Sequence, residues 1–478
     1  LGTGIHELSL KLISTEKTLR FGADISAATD SAVLAWSTSP GRTLTINDIL
    51  EVVSISGARL SPSGKYLLIQ TSEVLPGSGK PQSSFMVYDM ELNRNLFALR
   101  NNALRADWMP QSDRFYYQVD REGTSDVILY DLQTGTETVA ASGLKSPGRI
   151  VWSPAEDYFV YSRNEEAEKT GDLKRVFDND DRIPGTRNRS YLYIYNPGTK
   201  LSQPLTAGSQ SAMLHAISPD GRRVLFSISR QDYSEVPFSK QTLYELEIST
   251  MRLDTIWKDK LYGGSCQYSP DGTQLLVSGG PETFGSLGVK VSEGRIPNSY
   301  DTQLYLFDLE TRKAEPLTRN FDPAAGMAHW AVDGKIYLTA TERDYVNLYR
   351  LDPKKRSFTK IDVPVEVITS VDYAENKNVA VLRGTSISTP GKLYAIDLAT
   401  GESTLLSDPG TDRMADVLSG RTEEWNFKNS RGTTIYGRVY YPVNYDPSKK
   451  YPLIVNFYGG TSPTDRSFGG RYPKGIWA

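Results

Sequence analysis

One two-part pattern recurs along this chain and limits what it can fold into. Its clearest copy spans residues 264–318. Ser265-Cys266-Gln267-Tyr268 leads into Ser269-Pro270-Asp271-Gly272, and the apolar run Leu275-Leu276-Val277 follows. After a polar connection come residues 303–308, a turn at 309–312, and residues 314–318. Pro presets φ and Gly accepts positive φ, so Pro-Asp-Gly marks a tight turn. β-Branched and aromatic residues fill the flanking runs, as strands require. The stretch reads as four short antiparallel strands in about 55 residues, the size of one propeller blade.

The turn half recurs as Leu60-Ser61-Pro62-Ser63-Gly64, Trp108-Met109-Pro110, Trp152-Ser153-Pro154, Ser218-Pro219-Asp220-Gly221 and Trp330-Ala331-Val332-Asp333-Gly334, with a decayed copy at Tyr373-Ala374-Glu375-Asn376. The third-strand half recurs as Val87-Tyr88-Asp89, Leu129-Tyr130-Asp131, Leu192-Tyr193, Leu243-Tyr244-Glu245, Leu348-Tyr349-Arg350 and Leu393-Tyr394. Seven turn elements alternate with seven tyrosine-bearing strands in strict order. The expectation is an all-β chain whose residues 58–406 form a seven-bladed β-propeller.

Composition bounds what such a scaffold serves. The 478 residues exceed one small core, so something accompanies the propeller. A formal charge of −3, from 54 basic and 57 acidic residues, points to neither nucleic acid nor a membrane surface. No run approaches the roughly 18 apolar residues of a membrane-spanning helix. The single cysteine, Cys266, excludes an internal disulfide and reads as a small buried residue. Asn188-Arg189-Ser190 matches a glycosylation sequon by pattern only. The chain starts at Leu1 rather than Met, as a processed or trimmed product does, and a periplasmic or secreted location is expected ahead of a cytoplasmic one.

Residues 1–57 precede the first cassette. Strands are expected at 5–13 and 32–36. A short helix is expected at 43–53, capped by Thr45 with Asp48 three residues on, and with Ile46, Ile49, Leu50 and Val53 on one face. The turn prolines at 62, 110 and 154 are 48 and 44 residues apart, but the next steps are 65 and 51. The excess lies between second and third strands, at 164–189 and 281–300, with a smaller one at 73–84. Such connections share a face with the crossovers between blades, and long loops on a rigid scaffold are where binding resides. The 164–189 insertion is densely charged and holds the adjacent pair Glu165-Glu166. Asp178-Asn179-Asp180-Asp181 lacks the glycine and distal glutamate of a calcium loop, so no metal is expected.

After Leu406 the character changes. Residues 407–422 read as a polar linker, and strands are expected at 423–428, 434–441 and 453–458. The last, Leu453-Ile454-Val455-Asn456-Phe457-Tyr458, opens into Gly459-Gly460, as the first strands of an open α/β sheet do.

Propeller, linker, then Tyr451-Pro452-Leu453-Ile454-Val455-Asn456-Phe457-Tyr458-Gly459-Gly460 resembles the prolyl oligopeptidase family of serine peptidases, in its dipeptidyl peptidase IV-like and acylaminoacyl peptidase branch. The resemblance covers nearly the whole chain, with residues 423–460 carrying the discrimination. It implies a propeller over an α/β-hydrolase domain, of which residues 423–478 are an incomplete start. It implies short peptides as substrates, an acyl-enzyme, no cofactor, and the remaining catalytic domain as partner, in the same or a second chain; a homo-oligomer is possible. By the same resemblance Tyr458 donates its hydroxyl to the oxyanion, a position from which a preorganised donor stabilises developing charge.

The departures from the family matter. No Gly-x-Ser-x-Gly elbow is present. The only histidines, His6, His215 and His329, precede residue 423, whereas the family's nucleophile, acid and base follow it. This chain alone is therefore expected to be inactive. The family's paired glutamates for the substrate amino terminus sit on a helix between blades, for which the short crossovers leave no room; Glu165 and Glu166 lie in a different loop and are weak candidates for substrate anchors. The rival reading is a non-catalytic TolB-like propeller serving as a binding or interaction scaffold.

Overall fold

The computed structural model describes residues 41–75, 79–100, 105–167, 171, 176, 185–292, 294–457, 466–469 and 476. The strands expected at 5–13 and 32–36, Tyr458, and most of the charged insertion after residue 167 lie outside these residues.

The chain is nearly all β. Five four-stranded antiparallel meanders follow one another. The first is Ser54–Leu60, Tyr66–Val74, Pro81–Asp89 and Arg94–Arg100. The second is Arg105–Trp108, Arg114–Arg121, Thr124–Asp131 and Thr136–Lys145. The third is Pro147–Trp152, Phe159–Glu165, Arg189–Asn196 and Leu201–Pro204. The fourth is Ala212–Ile217, Arg223–Gln231, Ser239–Glu247 and Arg252–Lys260. The fifth is Gly263–Tyr268, Gln274–Gly279, Gln303–Asp308 and Ala314–Pro316. One eight-stranded sheet holds two more: Ala324–Trp330 to Ser357–Ile361, and Val367–Tyr373 to Ser403–Ser407. A single parallel pairing, Val346 with Val367, joins them.

The second strands show why these sequences stack. Leu67 and Ile69 pack toward the seventh meander, while Leu68 between them packs toward the second. Leu225 faces the fifth meander, and Val224 and Phe226 face the third. Tyr337 faces the seventh, and Ile336 and Leu338 face the fifth. Successive side chains leave opposite faces of a strand, so a sheet covered on both faces needs a continuous apolar run. Each buried leucine contributes roughly 1.5–3 kcal/mol. Among the described residues seven such cores lie between consecutive meanders, and one of them joins Ile55, Ala58 and Leu60 to Ala374, Val381 and Leu393, the first meander to the last. Polar contacts accompany that closure. The Leu60 N–H donates to Asp372 Oδ2 at 2.7 Å, and Arg383 donates to the Ile55 carbonyl.

The turn serines have a shared task. Oγ of Ser61, Ser153, Ser218 and Ser269 each accepts the N–H five residues on, at 2.9–3.4 Å, and all four side chains are buried. Gly64, Gly221, Gly272 and Gly334 take φ of 68–73° in these turns, a region where a Cβ is strained. The extra length at 73–84 is consumed by longer strands, paired out to Val74 with Pro81.

The entry helix is shorter than its sequence pattern, Ile46–Leu50, with the Thr45–Asp48 capping box formed. Its buried residue is a polar one. Asp48 is buried, while Ile46 and Leu50 are 49% and 56% exposed. The cause is charge: Arg42 donates to both Asp48 oxygens, at 2.6 and 3.0 Å, and Arg413 Nε lies 3.4 Å away. Arg42–Thr43 also pairs in parallel with Val417–Leu418, so the segments entering and leaving the meanders are tied together. Beyond them Thr422–Lys428 and Thr434–Tyr440 form an antiparallel hairpin. Residues 453–457 pair with no strand among the described residues, and Leu453 and Phe457 are 80% and 84% exposed.

Candidate functional site

In a four-stranded meander, the second strand ends on the side where the first and third begin and the fourth ends. Second-to-third turns and crossovers therefore share one face. That face receives the C-terminal segment. Arg466, whose side chain is 3% exposed, donates to Glu366 Oε1 at 2.9 Å in the crossover between the sixth and seventh meanders, and to Glu424 Oε1 at 2.6 Å. Its Nε lies 3.3 Å from Asp344, in the second-to-third turn of the sixth meander, and its guanidinium stacks 3.5 Å over the Tyr345 ring. Arg438, 6% exposed, reaches Asp344 at 2.7 Å. The Tyr345 hydroxyl donates to Glu424 at 2.6 Å. That bond and the Arg466 guanidinium hold the Glu424 carboxyl below its ordinary range. The Phe468 N–H donates to Thr385 Oγ1 at 3.3 Å, and Gly469, at φ 63°, lies against Ile49. Buried pairs of this kind lose much when one partner is removed.

A cavity of about 790 Å³ lies against the first strands of the first three meanders. Arg59, Arg105, Asp107, Arg149 and Glu375 line it, together with Trp108 and Trp152. Arg59 is 3.3 Å from Asp372. Burial pushes the Asp372 carboxyl up to about 7, although Arg59 and the Leu60 N–H oppose the shift. Burial likewise raises Asp107 and Glu375.

The candidates singled out in the sequence are dispersed. Glu165 ends the second strand of the third meander, 3.4 Å from Arg163, and Glu166 follows it; both are on the crossover side. Tyr458 is outside the described residues. His215 Nε2 is 2.9 Å from Ser227 Oγ, the spacing of a nucleophile and its base, but the pair is arranged the wrong way round. Nδ1 accepts the Cys266 N–H at 3.3 Å, so Nε2 carries the proton and donates to the serine. Burial lowers His215 to about 4 and raises the Cys266 thiol. His329, also lowered to about 4 by burial, stacks on Tyr373 with centroids 4.4 Å apart. Both rings are packing groups. No sequence pattern joins Arg466, Asp344, Glu366 and Glu424, which are 122 residues apart at the widest and share no motif. Among the described residues no cluster of potential metal ligands occurs, and no helix is long and apolar enough to cross a membrane.

A β-propeller with a further segment seated on its crossover face is the class these observations define. No family model matches the sequence. The chain is 24% identical to dipeptidyl-peptidase 5 of Porphyromonas endodontalis over 473 residues, 90% of this chain and 64% of that protein, so it spans less than two thirds of that relative. Acylaminoacyl peptidase of Pyrococcus horikoshii superposes with a TM-score of 0.63 at 16% identity, over 84% of this chain and 59% of that one. The β-propeller domain of the Trilobed protease from Pyrococcus furiosus superposes with a TM-score of 0.52 at 15% identity, over 75% of this chain and 96% of that one. Sequence and fold together make this chain similar to peptidases of the prolyl oligopeptidase family, dipeptidyl peptidase IV-like branch.

Proposed function

We propose that the chain is the substrate-gating portion of a serine peptidase that cleaves short peptides through an acyl-enzyme. In this reading residues 58–406 are a closed seven-bladed propeller, 407–422 the linker and 423–478 the opening segment of an α/β-hydrolase domain. The seven cores in cyclic order support the blade count. The observation that carries the reading is the seating of Arg466 and the 422–440 hairpin on the crossover face, where a catalytic domain would meet the propeller. The dipeptidyl-peptidase 5 likeness supplies the reaction class. Tyr458 is the oxyanion donor, acting on charge that develops in the transition state. Glu165 and Glu166 are candidate anchors for the substrate's amino end. Nucleophile, acid and base come from outside residues 1–478, and this chain alone hydrolyses nothing.

The test is a substrate series on the complete polypeptide that contains these residues. Dipeptidyl anilides, N-acetyl aminoacyl anilides and a folded protein are offered in turn. Cleavage of a short substrate with the folded protein spared supports gating. Equal cleavage of the folded protein contradicts it.

A further inference from the structure

Around the cavity of the first three meanders, charge is unevenly matched. Arg59 is satisfied by Asp372 at 3.3 Å and has Asp107 beside it. Asp107 accepts the Trp108 N–H at 2.9 Å. Arg149 also acts on Asp107, but its described side-chain hydrogen bond runs to the Leu214 carbonyl at 3.4 Å. Arg105 has no ion-pair partner among the described residues. The two are held on neighbouring first strands. Gln118 pairs with Arg105 across the second meander, and its Nε2 donates to the Gly148 carbonyl at 3.5 Å, one residue before Arg149. Desolvation raises the Asp107, Asp372 and Glu375 carboxyls around them, whereas a guanidinium keeps its charge. The result is a site of peptide size in which the Arg105 and Arg149 guanidiniums form no ion pair among the described residues.

We infer that Arg105 and Arg149 receive a carboxylate of a short peptide in this cavity. A guanidinium presents paired N–H groups that fit a carboxylate. The peptide part rests on the peptidase reading; the anion part rests on the cavity alone. Two peptide sources share this chemistry, the free C-terminus and an acidic side chain.

The experiment is calorimetric titration of the 478-residue chain with tetra-alanine, its C-terminal amide, Ala-Ala-Glu-Ala amide, and inorganic phosphate. Tetra-alanine is expected to bind at least about tenfold more tightly than its amide, a difference of about 1.4 kcal/mol. Recovery by the glutamyl amide would assign the side chain as an equal source, and no recovery the C-terminus alone. The Arg105→Gln/Arg149→Gln pair should lose that preference, while Arg105→Lys, which keeps the charge, retains part of it; circular dichroism checks that each variant is folded. Equal binding of acid and amide, or an unchanged double variant, overturns the proposal. Phosphate binding as tightly as the peptide acid through the same arginines overturns its peptide part. No hydrolysis is read, so a complete enzyme that cleaves no peptide would sink the peptidase reading and leave this result standing.

Discussion

In four of the turns a buried serine hydroxyl accepts the backbone N–H five residues on. Ser218 is buried, accepts the Arg223 N–H at 2.9 Å and donates to Asp220 at 2.5 Å. Ser218→Ala should leave that N–H unsatisfied and cost about 1–3 kcal/mol, read as a lower urea midpoint with unchanged slope; no change would show that water replaces the hydroxyl. Serine before Pro-Asp-Gly was legible as a turn, but its hydrogen bond five residues on was not, because only the folded ladder brings the two together. Tyr458 stands at the opposite extreme, a role assigned by motif. In the complete enzyme, Tyr458→Phe should lower kcat by about 10²–10³ with KM changed much less, since the donor acts on transition-state charge. Full kcat in that variant would reduce Tyr458 to a packing residue.

Individual elements were legible where both faces of a strand are buried, because a continuous apolar run between turn residues leaves few alternatives. The entry helix shows where periodicity alone stops. Spacing puts its apolar residues on one face, but Arg42 and Arg413 converge on Asp48 from segments more than 360 residues apart, and charge decides which residue is buried. Residues 453–457 were expected as a strand; a buried central strand needs partners on both sides, and the described residues provide none. The Arg466 group makes an element-scale prediction. Arg466→Ala should release the C-terminal segment, with faster proteolytic cleavage within 422–470 and unchanged cleavage within the meanders. Uniform susceptibility of both would show that the group serves the whole fold instead.

For the molecule as a whole, pH reads how these carboxylates and histidines are built in. Asp126, bonded to Arg121, and Asp352, bonded to Lys335, are lowered to about 2. Asp131, Asp308 and Asp397, each accepting backbone N–H groups in its turn, are lowered as well. A carboxyl lowered in the fold stabilises above its unfolded value of about 4 and loses that contribution as pH falls through its folded value. Between pH 4 and 7 two effects oppose each other. His215 and His329, lowered to about 4, cost stability as pH drops, and Asp372, raised to about 7, costs stability as pH rises. The urea midpoint should therefore vary little between pH 5 and 7 and fall steeply between 4 and 2. A steep loss already at pH 6 would contradict this balance. The most direct test of the peptidase reading is fluorophosphonate labelling of the complete polypeptide, followed by mapping of the modified serine. Labelling of one serine outside residues 1–478, with none of the serines inside them modified, is the predicted result. A modified serine within residues 1–478, or no labelling of a folded complete polypeptide, would contradict it.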